Sequence, residues 1–219
     1  MEFCQTQRVC LLISRCLTSD LEAAQTMERE GFLLTDTLVY YQRDFERKAV
    51  LEEAGSVPVR PIRPGEEEAV GRIAAECFSG YLGHYHADRR LDRAKCDKTY
   101  VDWAVRCCLH REVAEQVVLA EVGREILGFA ALRLNGPKEG EAFLIGVLPK
   151  AQGKGIYRSF ILDGMRWCLS LGATRMVEST QITNLAVQKV WIRLGFEPSH
   201  SFYTYHKWFE ESYGAKIRW

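Results

Sequence analysis

The sequence predicts a mixed α/β fold of the α+β kind, in which one sheet holds both hairpins and a β-α-β crossover. Three observations predict it. Strand-like runs at 117–122, 126–134 and 141–148 follow one another, with Gly123 in the first gap and Asn135-Gly136-Pro137 in the second. A glycine loop, Gln152-Gly153-Lys154-Gly155, separates the third run from a stretch with apolar residues at Ile156, Phe160, Ile161, Met165 and Cys168. A shift of 164 residues also lays the N-terminal part of the chain on its C-terminal part without a gap. Asp20 falls on Asn184, Leu21 on Leu185, Gly31 on Gly195, Phe32 on Phe196, Tyr41 on Tyr205 and Phe45 on Phe209.

The elements follow in order. A β-like run at 9–13 leads to a helix with Asp20 as N-cap and Gly31 as stop, then to a second β-like run at 33–41. Charged residues and then Pro58, Pro61 and Pro64 mark a linker over 46–56, which divides a unit at 1–50 from one at 57–219. Val70, Ile73, Ala74 and Cys77 form the apolar stripe of a helix over 66–78. The segment 79–97 has little periodicity and reads as a functional arm, followed by a helix over 98–109. After the hairpin strands and the helix that the glycine loop opens come a strand at 175–181 and a helix capped by Thr183 or Asn184. That helix stops at Gly195, and an aromatic strand follows at 202–208. The two strand-helix-strand pieces share cap, stop and exit strand, so they could extend a common sheet.

With 219 residues, 47% hydrophobic and 26% charged, the chain has the composition of an ordinary globular protein of one domain, or one and a half. Lysine plus arginine and aspartate plus glutamate number 29 each, so there is no basic excess to attract a nucleic acid. No stretch approaches the roughly 18 apolar residues of a membrane span, and nothing at the N-terminus reads as a signal peptide, so a cytoplasmic protein is expected. The eight cysteines contain no C-x-x-C pair and read as free thiols. Cys4, Cys10 and Cys16, six apart, would share one face of an extended strand. Five dispersed histidines make no metal site, with His200 and His206 read as surface or edge residues.

The glycine loop carries the most specific chemistry. Glycines at a helix entrance let backbone N–H groups converge, and the positive end of the helix dipole favours an anion such as a pyrophosphate. No G-K-[ST] closes the loop as in a Walker sequence, and the dinucleotide spacing fails at Arg158. The loop, with the Asn-helix-Gly-Phe block after it, resembles the GCN5-related N-acetyltransferase (GNAT) superfamily from about residue 58 onward. The resemblance implies a GNAT fold, a mixed sheet with a V-shaped splay, here preceded by a partial GNAT-like β-α-β unit. It implies that Gln152, Gly153, Lys154, Gly155 and Ile156 hold the diphosphate of acetyl-CoA, with Tyr157 standing where the family usually has Gly or Ala. Ile145, Gly146 and Val147 correspond to the strand that binds the pantetheine and supplies an oxyanion donor. Asn184 matches the asparagine that steadies the cofactor.

Over nearly the whole chain, the sequence is similar to the TDP-fucosamine acetyltransferase type. The resemblance rests on 20–32, on Tyr85-His86-Ala87-Asp88 with Tyr100 and Trp103, and on Thr180-Gln181 before Asn184. It implies an acceptor that is the amine of a nucleotide-linked 4-amino-4,6-dideoxy sugar. His84, Tyr85, His86 and Asp88, with Arg89 and Arg90 beside them, suit such a ligand, because Arg pairs with diphosphate, Tyr stacks and His or Asp binds hydroxyls. Glu141, whose position matches the glutamate base of the histone-acetylating members, is the candidate base, against a solvated strand end. Trp191 stands at the usual tyrosine acid, and an indole cannot supply a proton. Tyr203 is the candidate acid instead, with Tyr205, Tyr157, water or the product ammonium as substitutes. The expectation is therefore an acetyl-CoA-dependent N-acetyltransferase without a metal, acting by direct attack on a nucleotide-linked amino sugar. The alternatives are another amine (a peptide N-terminus, an amino acid or an aminoglycoside) and a non-catalytic acetyl-CoA-binding module. Sheet-edge pairing of the last strand could make a homodimer.

Overall fold

A computed structural model describes residues 2–47 and 55–209. The elements are α1 (Glu2–Thr6), β1 (Leu11–Leu17), α2 (Leu21–Arg29), β2 (Leu33–Asp44), β3 (Val59–Pro61), α3 (Glu67–Phe78), α4 (His84–Ala87) and α5 (Arg93–Leu109). There follow β4 (Gln116–Val122), β5 (Glu125–Gly136), β6 (Glu139–Val147), α6 (Ile156–Ser170), β7 (Arg175–Gln181), α7 (Leu185–Arg193) and β8 (Glu197–Trp208). All eight strands form one mixed sheet in the order β1-β8-β2-β7-β6-β5-β4-β3. Most of the linker expected over 46–56 lies outside the described residues.

The internal repeat is structural. Adding 164 to the bounds of β1, α2 and β2 reproduces those of β7, α7 and β8. β8 lies between β1 and β2, and β2 lies between β8 and β7, so each unit gives its exit strand to the other's sheet. The registers obey the same two-fold relation: Leu11 pairs with Trp208 in β1/β8, and its counterpart Arg175 pairs with Asp44 in β7/β2. The hydrogen bonds at the strand ends repeat as well. Thr18 N donates to Ser201 O as Ile182 N does to Thr37 O, and Phe45 N donates to Thr174 O as Phe209 N does to Cys10 O. Asp20 and Asn184 cap their helices through Ala23 N and Val187 N, and Gly31 and Gly195 end them at φ 74° and 82°, where a side chain would be strained.

The other half of the sheet, β3 to β6, is covered by α3, α5 and α6 around Phe129, Leu132, Phe160 and Met165, all fully buried. A second, small cluster of Cys16, Ala24 and Tyr205 seats α2 on the exchanged strands. β6 and β7 run parallel but pair only over Glu139↔Arg175, Gly140↔Met176 and Glu141↔Val177, then diverge. A bulge at the Ala131/Leu132 step of the β5/β6 pairing, opposite Phe143, adds twist where the fork opens.

The structure departs from the sequence expectations in several elements, β1 and β8 among them, which run over Leu11–Leu17 and Glu197–Trp208 rather than 9–13 and 202–208. α5 begins at Arg93 rather than at 98, because Asp92 accepts from Lys95 N and caps it. The arm is correspondingly shorter and contains the turn α4. Cys4, Cys10 and Cys16 do not share a strand, since Cys4 is on α1 and Arg8, at φ 52°, turns the chain before β1. β8 is an interior strand, so it cannot pair with a second copy edge to edge. Among the described residues the edge strands of the sheet are β1 and β3.

Candidate active site

The fork between β6 and β7 opens into a cleft of ≈690 Å³. One wall carries Ala142 to Ile145 of β6 with Tyr157 of α6. The other carries Glu178 to Gln181 of β7 with Asn184 and Val187 at the start of α7. The rim is aromatic and polar: Tyr81, His84 and Tyr85 from the arm, Tyr100, Asp102, Trp103 and Arg106 from α5, and Arg15 from β1. Arg15 reaches the cleft because β1 lies beside β8, so the N-terminal unit contributes directly.

At the root of the fork, Glu178 is 1% exposed and its Oε1 accepts from Ala142 N at 3.1 Å. The side chain thus takes over a backbone donor of β6 where strand pairing ends. Burial, reinforced by the charge of Glu141, pushes the Glu178 carboxyl above the usual carboxylate range. Tyr157 lines the same space. Burial and the proximity of Glu178 hold its phenol protonated, and the Trp191 indole lies beside it. Trp191 itself is core, packed on Tyr41.

The expected site residues divide. Ile145, Tyr157, Asn184, His84 and Tyr85 meet at the one cleft. Gly146 and Val147 continue the same strand, and Gly146 is needed there because a Cβ would lie 2.6 Å from Phe129 Cε1. Gln152, Gly153, Lys154 and Gly155 form the turn into α6, with Gly153 and Gly155 at φ 75° and 82°, while Ile156 is buried in the core. Asn184 Nδ2 donates to Thr180 Oγ1 at 3.0 Å, which ties α7 to β7.

Glu141 does not line this cleft. Its carboxylate is bound by Arg133 (2.8 and 3.1 Å) and Asn135 (3.2 Å), in a separate depression with Arg175 and Tyr40. An arginine-paired carboxylate outside the cleft cannot serve as its base. Tyr203 is likewise misplaced for an acid, because it packs with Tyr205 and Cys16 under α2. Alternation along β8 sends His206 to the face that Tyr203 was expected to occupy. His86 and Asp88 stand behind the cleft. His86 bonds Asp97 at 2.9 Å and stacks on Tyr100, and Asp88 is 2% exposed. Arg89 and Arg90 are on the surface, Arg90 over the Trp208 ring, so the cations of the cleft are Arg15 and Arg106.

Sequence reasoning missed His206, Glu178 and Arg15. His206 is 1% exposed and hydrogen-bonded on both ring nitrogens, to His84 and Asp88. Tyr81 was missed too; its hydroxyl donates to Gln181 Oε1, and burial raises its pKa to about 12. Among the described residues no group of three or more His, Cys, Asp or Glu side chains is placed to hold a metal. No described helix is long and apolar enough to cross a membrane.

The profile of the acetyltransferase (GNAT) family matches residues 68–196. The chain belongs to the GNAT family. Among its relatives, mycothiol acetyltransferase of Amycolatopsis mediterranei is 34% identical over 149 residues, which cover 64% of this chain and 46% of that protein. Spore coat polysaccharide biosynthesis protein SpsD of Bacillus subtilis is 26% identical over 148 residues, 68% of this chain and 50% of that one. The chain thus spans about half the length of the curated relatives it matches. In fold, the crystal structure of a GCN5-related N-acetyltransferase from Sphaerobacter thermophilus superposes with a TM-score of 0.61 at 15% identity, covering 90% of this chain and 59% of that one.

The residues present fit acetyl-CoA, the cosubstrate of GNAT enzymes. No side chain caps the start of α6, which leaves the positive end of its dipole for an anion. A Cβ at Gly153 would meet nothing within 4 Å, so the loop has open space for a diphosphate at this turn.

Proposed function

We propose that the protein is an acetyl-CoA-dependent N-acetyltransferase whose acceptor is the amino group of a nucleotide-linked amino-deoxy sugar. The observation that carries this reading is the single cleft in which the β6/β7 fork faces a rim of Arg15, Arg106, His84, Tyr81, Tyr85 and Trp103. Cations suit a diphosphate, and the rings suit a base or sugar face. The kinship with a protein named for spore coat polysaccharide biosynthesis supports the same class of acceptor.

The division of labour follows from placement. Gln152 to Ile156 at the start of α6 would hold the diphosphate, Ile145 to Val147 the pantetheine, and Asn184 the start of α7 against β7. When bound, acetyl-CoA supplies an acetyl group activated as a thioester. Backbone donors on the open edge of β6 would face the carbonyl oxygen, where a fixed dipole is worth most in a site closed to water. The Tyr157 hydroxyl, held protonated, is the hydrogen-bond donor for the departing sulfur. It thereby takes the part that Trp191 cannot play and that Tyr203 does not reach. We read residues 1–50 as a partial GNAT-like unit serving the GNAT domain at 57–219, since its strands complete the sheet and Arg15 reaches the cleft. The eight thiols suit a reducing compartment, and we place the protein in the cytoplasm.

A second reading keeps the chemistry and changes the acceptor to a different small-molecule amine. The several relatives named mycothiol acetyltransferase favour it. Incubating the protein with acetyl-CoA and each of a panel of amines, with mass spectrometry of the products, separates the two. Gain of one acetyl group by TDP-4-amino-4,6-dideoxygalactose, with matching release of thiol, is expected. Acetylation confined to amines that carry no nucleotide would overturn the sugar-nucleotide reading.

A further inference from the structure

Behind the acceptor rim, three side chains form a continuous hydrogen-bonded line. His84 Nδ1 lies 2.9 Å from His206 Nε2, and His206 Nδ1 lies 2.8 Å from Asp88 Oδ2. Asp88 also accepts from Trp208 Nε1 at 2.8 Å and from Arg90 N at 3.0 Å. His206 and Asp88 are fully covered, whereas His84 lines the cleft.

The protons on this line can be placed by elimination. Burial alone would push the Asp88 carboxyl up, but the bonds from Trp208, Arg90 N–H and His206 outweigh it and keep it below the usual carboxylate range. An ionised carboxylate only accepts, so His206 Nδ1 must donate. In neutral His206, Nε2 is then an acceptor, so His84 Nδ1 donates to it. That leaves His84 Nε2 with a bare lone pair.

We propose that His84, His206 and Asp88 are a proton relay: His84 Nε2 takes the proton lost by the acceptor amine, and the buried His206–Asp88 pair carries the charge that results. The proposal rests on the acetyl-transfer reading above. The neutral amine attacks the thioester carbonyl, the N–C bond forms, and the C–S bond breaks with its electron pair leaving on sulfur. The nitrogen gives one proton to His84 Nε2, the His84 Nδ1 proton passes to His206 Nε2, and the sulfur leaves as a thiolate that accepts a hydrogen bond from the Tyr157 hydroxyl. After product release the proton on the relay returns through His84 to water, so that amine and thioester give amide, thiolate and one proton. His84 is the catalytic residue; His206 and Asp88 are positioning residues.

His206 is better placed than His84 to hold the charge. Burial first, then His206 of β8, Arg15 of β1 and His86 of α4 lower its pKa to about 4, and the ring of Tyr85 covers it at 4.0 Å. His206 faces His84, the Tyr85 ring and the Asp88 carboxylate, so it is the ring with an anion to pair with. A proton received at His84 is therefore driven one ring further.

The test is ¹⁵N NMR of the histidine rings in the full chain, with His84→Gln and His206→Gln to assign the signals. Both rings should carry their proton on Nδ1, the arrangement that the two hydrogen bonds require. An Nε2–H tautomer at His84 would overturn the relay. In Asp88→Asn the His84 signals should change although Asp88 does not touch that ring; unchanged signals in a folded variant would count equally against it. With TDP-4-amino-4,6-dideoxygalactose as acceptor, His84→Gln should lower turnover by about 10²-fold or more. Wild-type protein that fails to acetylate this probe would contradict the substrate reading alone, because the ring tautomers decide the relay independently.

Discussion

Arg43 and Lys207, which correspond under the internal repeat, perform the same task in opposite units. Arg43 of β2 donates to Leu194 O at the end of α7, and Lys207 of β8 donates to Glu30 O at the end of α2, at 2.6 Å. Each exchanged strand thereby closes the helix of the other unit, satisfying a carbonyl that the helix leaves without a partner and placing a cation at the negative end of its dipole.

The two sites differ in burial, and so should the cost of losing them. Arg43 is 4% exposed while the Lys207 contact is at the surface. Arg43→Met should lower unfolding free energy by about 1.5–3 kcal/mol, the value of a buried hydrogen bond from a charged group. Lys207→Met should cost less than about 1 kcal/mol. Urea titration of both variants checks this; equal losses would mean that burial does not set the strength of the contact.

Gly155 should be irreplaceable for two separable reasons. At φ 82° any side chain is strained by about 1–2 kcal/mol, and a Cβ would lie 2.2 Å from Ser56 Oγ. Gly153, at φ 75° with nothing within 4 Å, has only the first problem. Gly155→Ala should therefore lose more stability than Gly153→Ala, and it should also weaken acetyl-CoA binding by distorting the turn. Calorimetric titration measures the second effect. An unchanged Kd in Gly155→Ala would remove the loop from the cofactor site.

Glu178 should make the protein less stable as pH rises. Its folded pKa lies above the unfolded value of 4.5, so the folded state retains a proton that the unfolded state has released. The stability it allows is fully present below pH 4.5 and declines as pH climbs toward the folded pKa. Glu178→Gln keeps an oxygen for Ala142 N and removes the titration. Its melting temperature should equal or exceed that of the wild type at pH 8, with the difference shrinking toward pH 5. A variant that falls further behind as pH rises would show that Glu178 is ionised in the fold.

Tyr157→Phe tests the hydroxyl without disturbing the ring. Turnover should drop roughly 10²-fold if the phenol assists the departing thiolate, with KM for acetyl-CoA nearly unchanged. Full activity would return the acid role to solvent.

Much of this was legible in local chemistry. Asp20, Asn184, Gly31 and Gly195 announce their helices because caps and stops act within a few residues, and the repeat they define proved to be a strand exchange. The start of α5 was missed because the charged residues at 88–98 hide the cap Asp92 in a segment that has no apolar stripe. The site was less legible because it depends on which strands become neighbours. His206 looks like an edge residue until β1 and β2 enclose β8, and Tyr203 and His206 exchange faces with a single odd step along a strand. Glu178 acquires its role only where β6 and β7 part, and no residue pattern in either strand marks that point. Arg15 enters the cleft solely through the exchange, which is a pairing between residues nearly the whole chain apart.

Acetyl-CoA is expected to occupy the fork between β6 and β7, and every role given above to the cleft depends on its doing so. Thermal unfolding with and without it is the most direct measurement, since a ligand of the native state stabilises it by RT ln(1 + [L]/Kd), about 2.7 kcal/mol at a hundredfold excess over Kd. An upward shift with acetyl-CoA and with CoA, absent with NAD or ATP and lost in Gly155→Ala, is the predicted result. No shift at millimolar acetyl-CoA would contradict the account.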